Sequence, residues 1–136
     1  MLGIQKKIIQ TILISGFIIL CSYPLFYKLG HDYIRVWDEA RYANNALEML
    51  ESGNLFVVTF NHTPDHWNTK PPLMIWLQSL SLKTFGLSEW AVRLPSALSI
   101  LMIVTAFLLF FKHIIKISAI GYLASLTLIT TKGIVA

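Results

Sequence analysis

Asp38 and Glu39 stand side by side ahead of Arg41 and Tyr42 in the stretch "RVWDEARYANNALEMLESGN", residues 35–54. A carboxylate can take a proton from a hydroxyl as a general base, and a nearby arginine can hold an anion. The same residues also suit a helix start, with Asp38 as N-cap and Glu39 in a first turn that favours negative charge. Adjacent helical residues point about 100° apart, so the two acids do not make a paired-carboxylate dyad. One acid acting and the other supporting it fits better. Lys70 is the next candidate. It precedes Pro71 and Pro72, which stiffen the chain. A lysine there serves either as a side chain snorkelling at a membrane boundary or as a point charge on a phosphate. His62, Asp65 and His66 are the residue types of a metal site, but Pro64 breaks the helix that an i, i+4 histidine pair needs. No metal ligand is assigned.

The elements that must position these residues follow from hydropathy. The chain has 136 residues, is 55% hydrophobic and only 13% charged, and gathers its apolar residues in long blocks. Such blocks point to a bilayer as solvent. Residues 8–26 carry no charge and are long enough to span; a retained span fits them better than a signal peptide, because no small-residue cleavage site follows. Residues 94–111 form a second uncharged run, and residues 117–134 a shorter or incomplete third. All seven acidic residues lie in the section 27–93, whereas Lys6, Lys7, Lys112 and Lys116 flank the spans on the other side. The positive-inside rule then predicts a multi-pass plasma (inner) membrane protein with a cytoplasmic N-terminus and an external or periplasmic loop 27–93. The net charge of +4 comes with no basic stripe, which argues against a nucleic-acid partner. Cys21 is the one cysteine, so the chain forms no internal disulfide.

Within the loop, Ala43, Ala46, Leu47 and Leu50 recur at helical spacing and predict an amphipathic helix over about 39–52, ended by Gly53. Arg41, Asn44, Asn45, Glu48 and Glu51 take its other faces. Residues 55–60 have strand-like composition or form an extended arm, and residues 61–72 read as loop. A second helix is expected over about 73–85, entered through the two prolines and stopped at Gly86. Leu73, Trp76, Leu77 and Leu80 share one of its faces. At 1.5 Å per residue it reaches about 20 Å, short of a span, so both helices are expected to lie at the membrane interface. Trp37, Trp67, Trp76 and Trp90 all fall in this section, as interface anchors or, for one or two, as sugar-stacking platforms.

In order and spacing, "WDEARYANNALEML", "SGN", "NTKPPLMIWL" and "FGLSEWAVRLPSAL" resemble the start of the glycosyltransferase family 39 enzymes, which include protein O-mannosyltransferases and aminoarabinose transferases acting on lipid A. The likeness runs over residues 36–106. It implies the N-terminal part of a C-type glycosyltransferase (GT-C) fold: an all-α membrane protein with about three transmembrane helices here and a catalytic first external loop. It implies a polyprenyl-phosphate-linked sugar as donor and a lipid, glycan or protein as acceptor. Asp38 would be the general base and Glu39 its support. Lys70 would meet the departing phosphate, and Arg41 and Tyr42 would belong to the substrate-binding motif. A divalent metal is compatible with such folds, but nothing in these residues calls for one. Related enzymes continue with further spans and another external acid, so 136 residues are expected to be a fragment inactive alone. The alternative is a small non-catalytic membrane interaction protein or gene remnant.

Overall fold

The computed structural model describes residues 2–27, 29–68, 70–115 and 118–130. It is largely helical: α1 (Leu2–Phe26), α2 (Asp38–Ser52), α3 (Leu73–Phe85), α4 (Glu89–Phe110), a π-helical turn at Phe111–Ile115, and α5 (Ser118–Thr130). One small hairpin, β1 (Thr59–Phe60) with β2 (Thr63–Pro64), interrupts the expected all-helical pattern. The chain divides into two compact units, Met1–Tyr27 with Ala97–Ala136, and Lys28–Ser96.

The first unit holds most of the membrane-like sequence. Two helical stretches, Ile8–Phe26 and Glu89–Ile115, are long and apolar enough to cross a membrane. The second starts earlier than the uncharged run at Leu94, because Ser88 begins the helix: its Oγ accepts the Ala91 N–H at 3.2 Å. The π-helical turn carries it past Phe111 through Lys112 and His113. Of the third run, residues 118–130 are described and form the 13-residue α5, about 20 Å long; Lys116, Ile117 and residues 131–134 lie outside the described residues. Cys21, Val104, Leu108 and Ile129 form this unit's core, with Phe17 edge-on to Tyr122 at 4.8 Å. Ile9, Ile12, Leu13, Ile19, Leu20, Met102 and Leu123 face outward, the arrangement of helices solvated by lipid.

In the second unit, α2 and α3 pack on each other and on the start of α4 through Ala46, Met49, Ile75, Leu82, Ala91 and Val92. α2 ends as its sequence predicts. Gly53 takes the left-handed φ of 68° and donates its N–H to the Met49 carbonyl at 3.1 Å. One expectation about a face needs correction. Asn45 and Glu48, expected on the wet side of α2, are buried, because the 58–68 segment lies along that flank and takes up both side chains. On α3 the Leu73–Trp76–Leu77–Leu80 stripe is exposed, while Ile75, Gln78, Ser79 and Leu82 are buried. Gln78 gives its amide to the Val92 carbonyl at 3.0 Å, so a polar residue serves the inward face. The strand-like residues 55–60 form no long strand: Asn54 Oδ1 accepts the Phe56 and Val57 N–H groups and turns the chain. Only Thr59 and Phe60 pair, across a two-residue turn in which Asn61 and His62 both have positive φ (53° and 60°), the backbone of a type I′ hairpin.

Candidate active site

α2 begins with an unusual residue. Trp37, at its N-cap position, has φ 88° and offers no side-chain cap. A bulky residue in that region is strained, and strain of this kind gathers at functional sites. Asp38 is therefore the first helical residue and not the expected N-cap. The reach-back bond comes from Glu39, whose Oε2 accepts the Arg35 N–H at 2.8 Å. Asp38 makes no side-chain hydrogen bond or ion pair among the described residues. Its carboxylate stays open to solvent at the positive end of the helix.

Glu39 is committed elsewhere. Arg93 Nε donates to its Oε1 at 2.6 Å and Nη2 to its Oε2 at 3.4 Å. The same guanidinium donates to the carbonyls of Leu29, Asp32 and Tyr33 at 3.0, 2.8 and 3.0 Å. Burial works against the charge on Glu39, but the Arg93 fork and the Arg35 N–H outweigh it and hold the carboxyl below its ordinary range. Glu39 thus ties the entry segment to α4 and does not line the pocket at Asp38.

That pocket is small, about 50 Å³, and is lined by Asp38, Arg41, Tyr42, Asn45, Trp67, Asn68 and Lys70. Four of the five candidate residues named from the sequence meet there. Asp38, Arg41 and Tyr42 come from the first turns of α2; Lys70 comes from the coil ahead of Pro71. The Lys70 ammonium lies 5.4 Å from the centroid of the Tyr42 ring, a cation–π contact. Lys70 is exposed and makes no ion pair among the described residues. The volume suits a phosphate-sized group better than a whole sugar with its carrier.

Arg41 is not the free anion ligand that the sequence suggests. Its Nε and Nη2 make a forked contact with Asp65, at 3.0 Å to Oδ2 and 2.5 Å to Oδ1, and its guanidinium sits 4.5 Å over the Phe60 ring. Asn45 Nδ2 adds a bond to Asp65 Oδ2 at 3.1 Å, and the Trp67 N–H one to Oδ1 at 3.1 Å. The Asp65 side chain is only 1% exposed. The Arg41 fork beside it, helped by Asn45 and opposed by burial, lowers its carboxyl to about 2. Glu48 does a parallel job. Burial opposes its charge, but bonds from Thr59, the His62 N–H and Asn44 prevail and keep it ionised below its usual range. The sequence pattern offered Asp65 only as a metal ligand with His62 and His66 and Trp67 only as an anchor or stacking platform, and gave Asn45 and Asn68 no place in the site. An acid in a loop with an arginine 24 residues away gives no local signal.

The family profile described as dolichyl-phosphate-mannose-protein mannosyltransferase matches residues 69–136, which begins at the Lys70-Pro-Pro segment. An undecaprenyl phosphate-alpha-4-amino-4-deoxy-L-arabinose arabinosyl transferase from Pseudomonas savastanoi pv. phaseolicola is 36% identical over 98 residues, 70% of this chain and 18% of that protein. One from Proteus mirabilis is 32% identical over 130 residues, 93% of this chain and 22% of that protein. An uncharacterized protein of Aquifex aeolicus is 36% identical over 73 residues, 54% of this chain and 14% of its own. The chain thus spans about a fifth or less of the length of these relatives. No solved structure matches it significantly. With half of its residues under one profile and most of the rest reached by the Proteus alignment, the chain belongs to the dolichyl-phosphate-mannose-protein mannosyltransferase family.

Proposed function

We propose that this chain supplies the acid and the phosphate-facing cation of a membrane glycosyltransferase that moves a sugar from a polyprenyl-phosphate carrier to an acceptor outside the cytoplasm. The observation that carries this is the pocket that unites Asp38 with Lys70. The exposed Asp38 carboxylate and the Lys70 ammonium, which makes no ion pair among the described residues, are the two groups that a transfer from a lipid phosphate needs. Asp38 takes the proton of an acceptor hydroxyl. The acceptor oxygen then bonds to the anomeric carbon while the bond from that carbon to the phosphate oxygen breaks, through an oxocarbenium-like transition state. The bonding electrons leave with the lipid phosphate, and Lys70 stabilises the charge that builds there. The proton ends on Asp38. Attack from the face opposite the phosphate inverts the sugar carbon and needs no covalent enzyme intermediate.

The relatives' names support undecaprenyl phosphate as carrier and 4-amino-4-deoxy-L-arabinose as sugar. Lipid A, another glycan or a protein is the acceptor. The exposed Leu73, Trp76, Leu77 and Leu80 stripe suits α3 to the membrane interface, with Trp76 amphipathic enough to stay at headgroup level. In this reading the N-terminus is cytoplasmic and residues 27–93 are external. The test is release of undecaprenyl phosphate from the aminoarabinose-charged carrier by membranes containing this chain within a protein of its relatives' length. Release is expected, and Lys70→Met should slow it by about 100-fold, the scale of losing one charge stabiliser. No release from the native protein, with donor and candidate acceptors present, would favour a non-catalytic membrane protein.

A further inference from the structure

Lys70 lies on a stretch of coil with little of its own to hold it. Residues 65–68 and Lys70 lie in no helix or strand, and Lys70 itself is exposed. What holds it is a relay of hydrogen bonds that starts on α2. Arg41 and Asn45 grip the Asp65 carboxylate. The Asp65 Oδ1 accepts the Trp67 N–H at 3.1 Å, and its carbonyl accepts the Asn68 N–H at 3.3 Å. Asn68 Oδ1 then accepts the Lys70 N–H at 3.2 Å. The later links each cross two or three residues, and only the first, from Arg41 and Asn45 to Asp65, crosses from the loop to the helix that carries Asp38.

We propose that Asp65 is a positioning residue: through the relay Asp65–Trp67–Asn68 it sets the backbone of Lys70 against the first turn of α2, and so places the ammonium opposite Asp38 and beside Tyr42. The inference rests on the role given to Lys70 above and adds the residue that makes that role geometrically available. Asp65 touches none of the reacting atoms; it does not line the pocket. It also consumes the charge of Arg41. The pocket then presents Lys70 as its unpaired cation among the described residues, which suits a singly charged phosphodiester, the form of a polyprenyl-phosphate sugar, over a doubly charged monoester. The hairpin does not depend on this link alone, because Glu48 holds the His62 N–H at 3.1 Å independently. Loss of the Asp65 charge should therefore loosen residues 65–70 and leave β1, β2 and α2 in place.

The experiment is a double-mutant cycle on the native protein in membranes, with D65N, K70M and D65N/K70M. It reads kcat and KM for release of undecaprenyl phosphate from undecaprenyl-phosphate-linked aminoarabinose. A misplacement of about 1 Å at a reacting centre can cost up to 100-fold. D65N is expected to lower kcat by at least about 10-fold while inserting at the native level. On the K70M background the same change is expected to cost less than about 3-fold, because the group it positions is already gone. A D65N enzyme with native kcat beside a crippled K70M would overturn the positioning role and leave the role of Lys70 standing. A full D65N loss retained on the K70M background would overturn it as well, since a merely structural residue behaves that way. Native turnover by K70M would overturn both. If D65N fails to insert, Arg41→Lys, which keeps the charge and removes the fork, goes through the same cycle with the same outcomes.

Discussion

Replacing Arg93 by lysine isolates the fork that holds the entry to α2. All five hydrogen bonds of the Arg93 guanidinium are made inside one unit, two to Glu39 and three to the carbonyls of Leu29, Asp32 and Tyr33. Its side chain is 17% exposed and that of Glu39 25%. Lysine keeps the charge but has three donors, so at least two bonds are lost. Bonds to charged groups are worth about 1.5–3 kcal/mol each when buried, and water at this partly open site reduces that to about 1. Arg93→Lys should then lower the free energy of opening the 29–35 segment by about 2 kcal/mol, near 30-fold in the open population. Arg93→Met removes all five bonds and leaves Glu39 only the Arg35 N–H, for about 5 kcal/mol and more than about 1,000-fold. Arg35 is exposed and gives trypsin a site on this segment. Cleavage after Arg35 in detergent-purified protein, under conditions where opening is fast and cleavage slow, reads the open population directly. The expected order is native, then Lys about 30-fold faster, then Met faster again. Equal rates in all three would refute the assignment of Arg93 as the clamp on this segment.

Two other outcomes follow from the same geometry. Asp65 has its carboxyl lowered from 3.8 to about 2, so the stability it contributes is full above about pH 4 and is lost as the pH falls through 2. The shift corresponds to about 2 kcal/mol, and solvent at the 31%-exposed Arg41 screens it to about 1; Glu39 and Glu48, also held below their ordinary range, act in the same direction. Thermal unfolding of detergent-purified protein between pH 5 and 2 should show a shallower acid loss in Asp65→Asn than in the native chain, and identical slopes would count against it. Gly53→Ala should cost about 1 kcal/mol, measured as a lowered Tm, because an added Cβ meets no atom within 4 Å but the φ of 68° is strained for any residue with one.

Local chemistry made much of the fold legible. Pro71, Pro72 and Gly86 bracket a helix that runs over Leu73–Phe85 as expected, and Gly53 ends α2 where its left-handed turn predicts. The apolar runs gave two helices of spanning length, and Asp38, Arg41 and Tyr42 of α2 line one pocket with Lys70. What was not legible is non-local. Arg41 meets Asp65 across 24 residues and Arg93 meets Glu39 across 54, and nothing in periodicity or capping rules pairs charges at such distances. The same cause misassigned one face. Asn45 and Glu48 look solvent-bound by polarity, yet an incoming loop supplies their partners. Asp38 was expected to cap α2, but the turn at Trp37 makes it the first helical residue, and its exposed carboxylate makes no hydrogen bond among the described residues.

Asp38, as the proposed base of the transfer, is tested most directly by removing its proton acceptor. Asp38→Asn keeps shape and helix position and removes only the proton acceptor. Sugar transfer from undecaprenyl-phosphate-linked aminoarabinose should fall by about 10²–10⁴-fold, the usual contribution of a general base, with membrane insertion at the native level. Transfer by inserted Asp38→Asn protein within about 2-fold of the native rate would contradict the account.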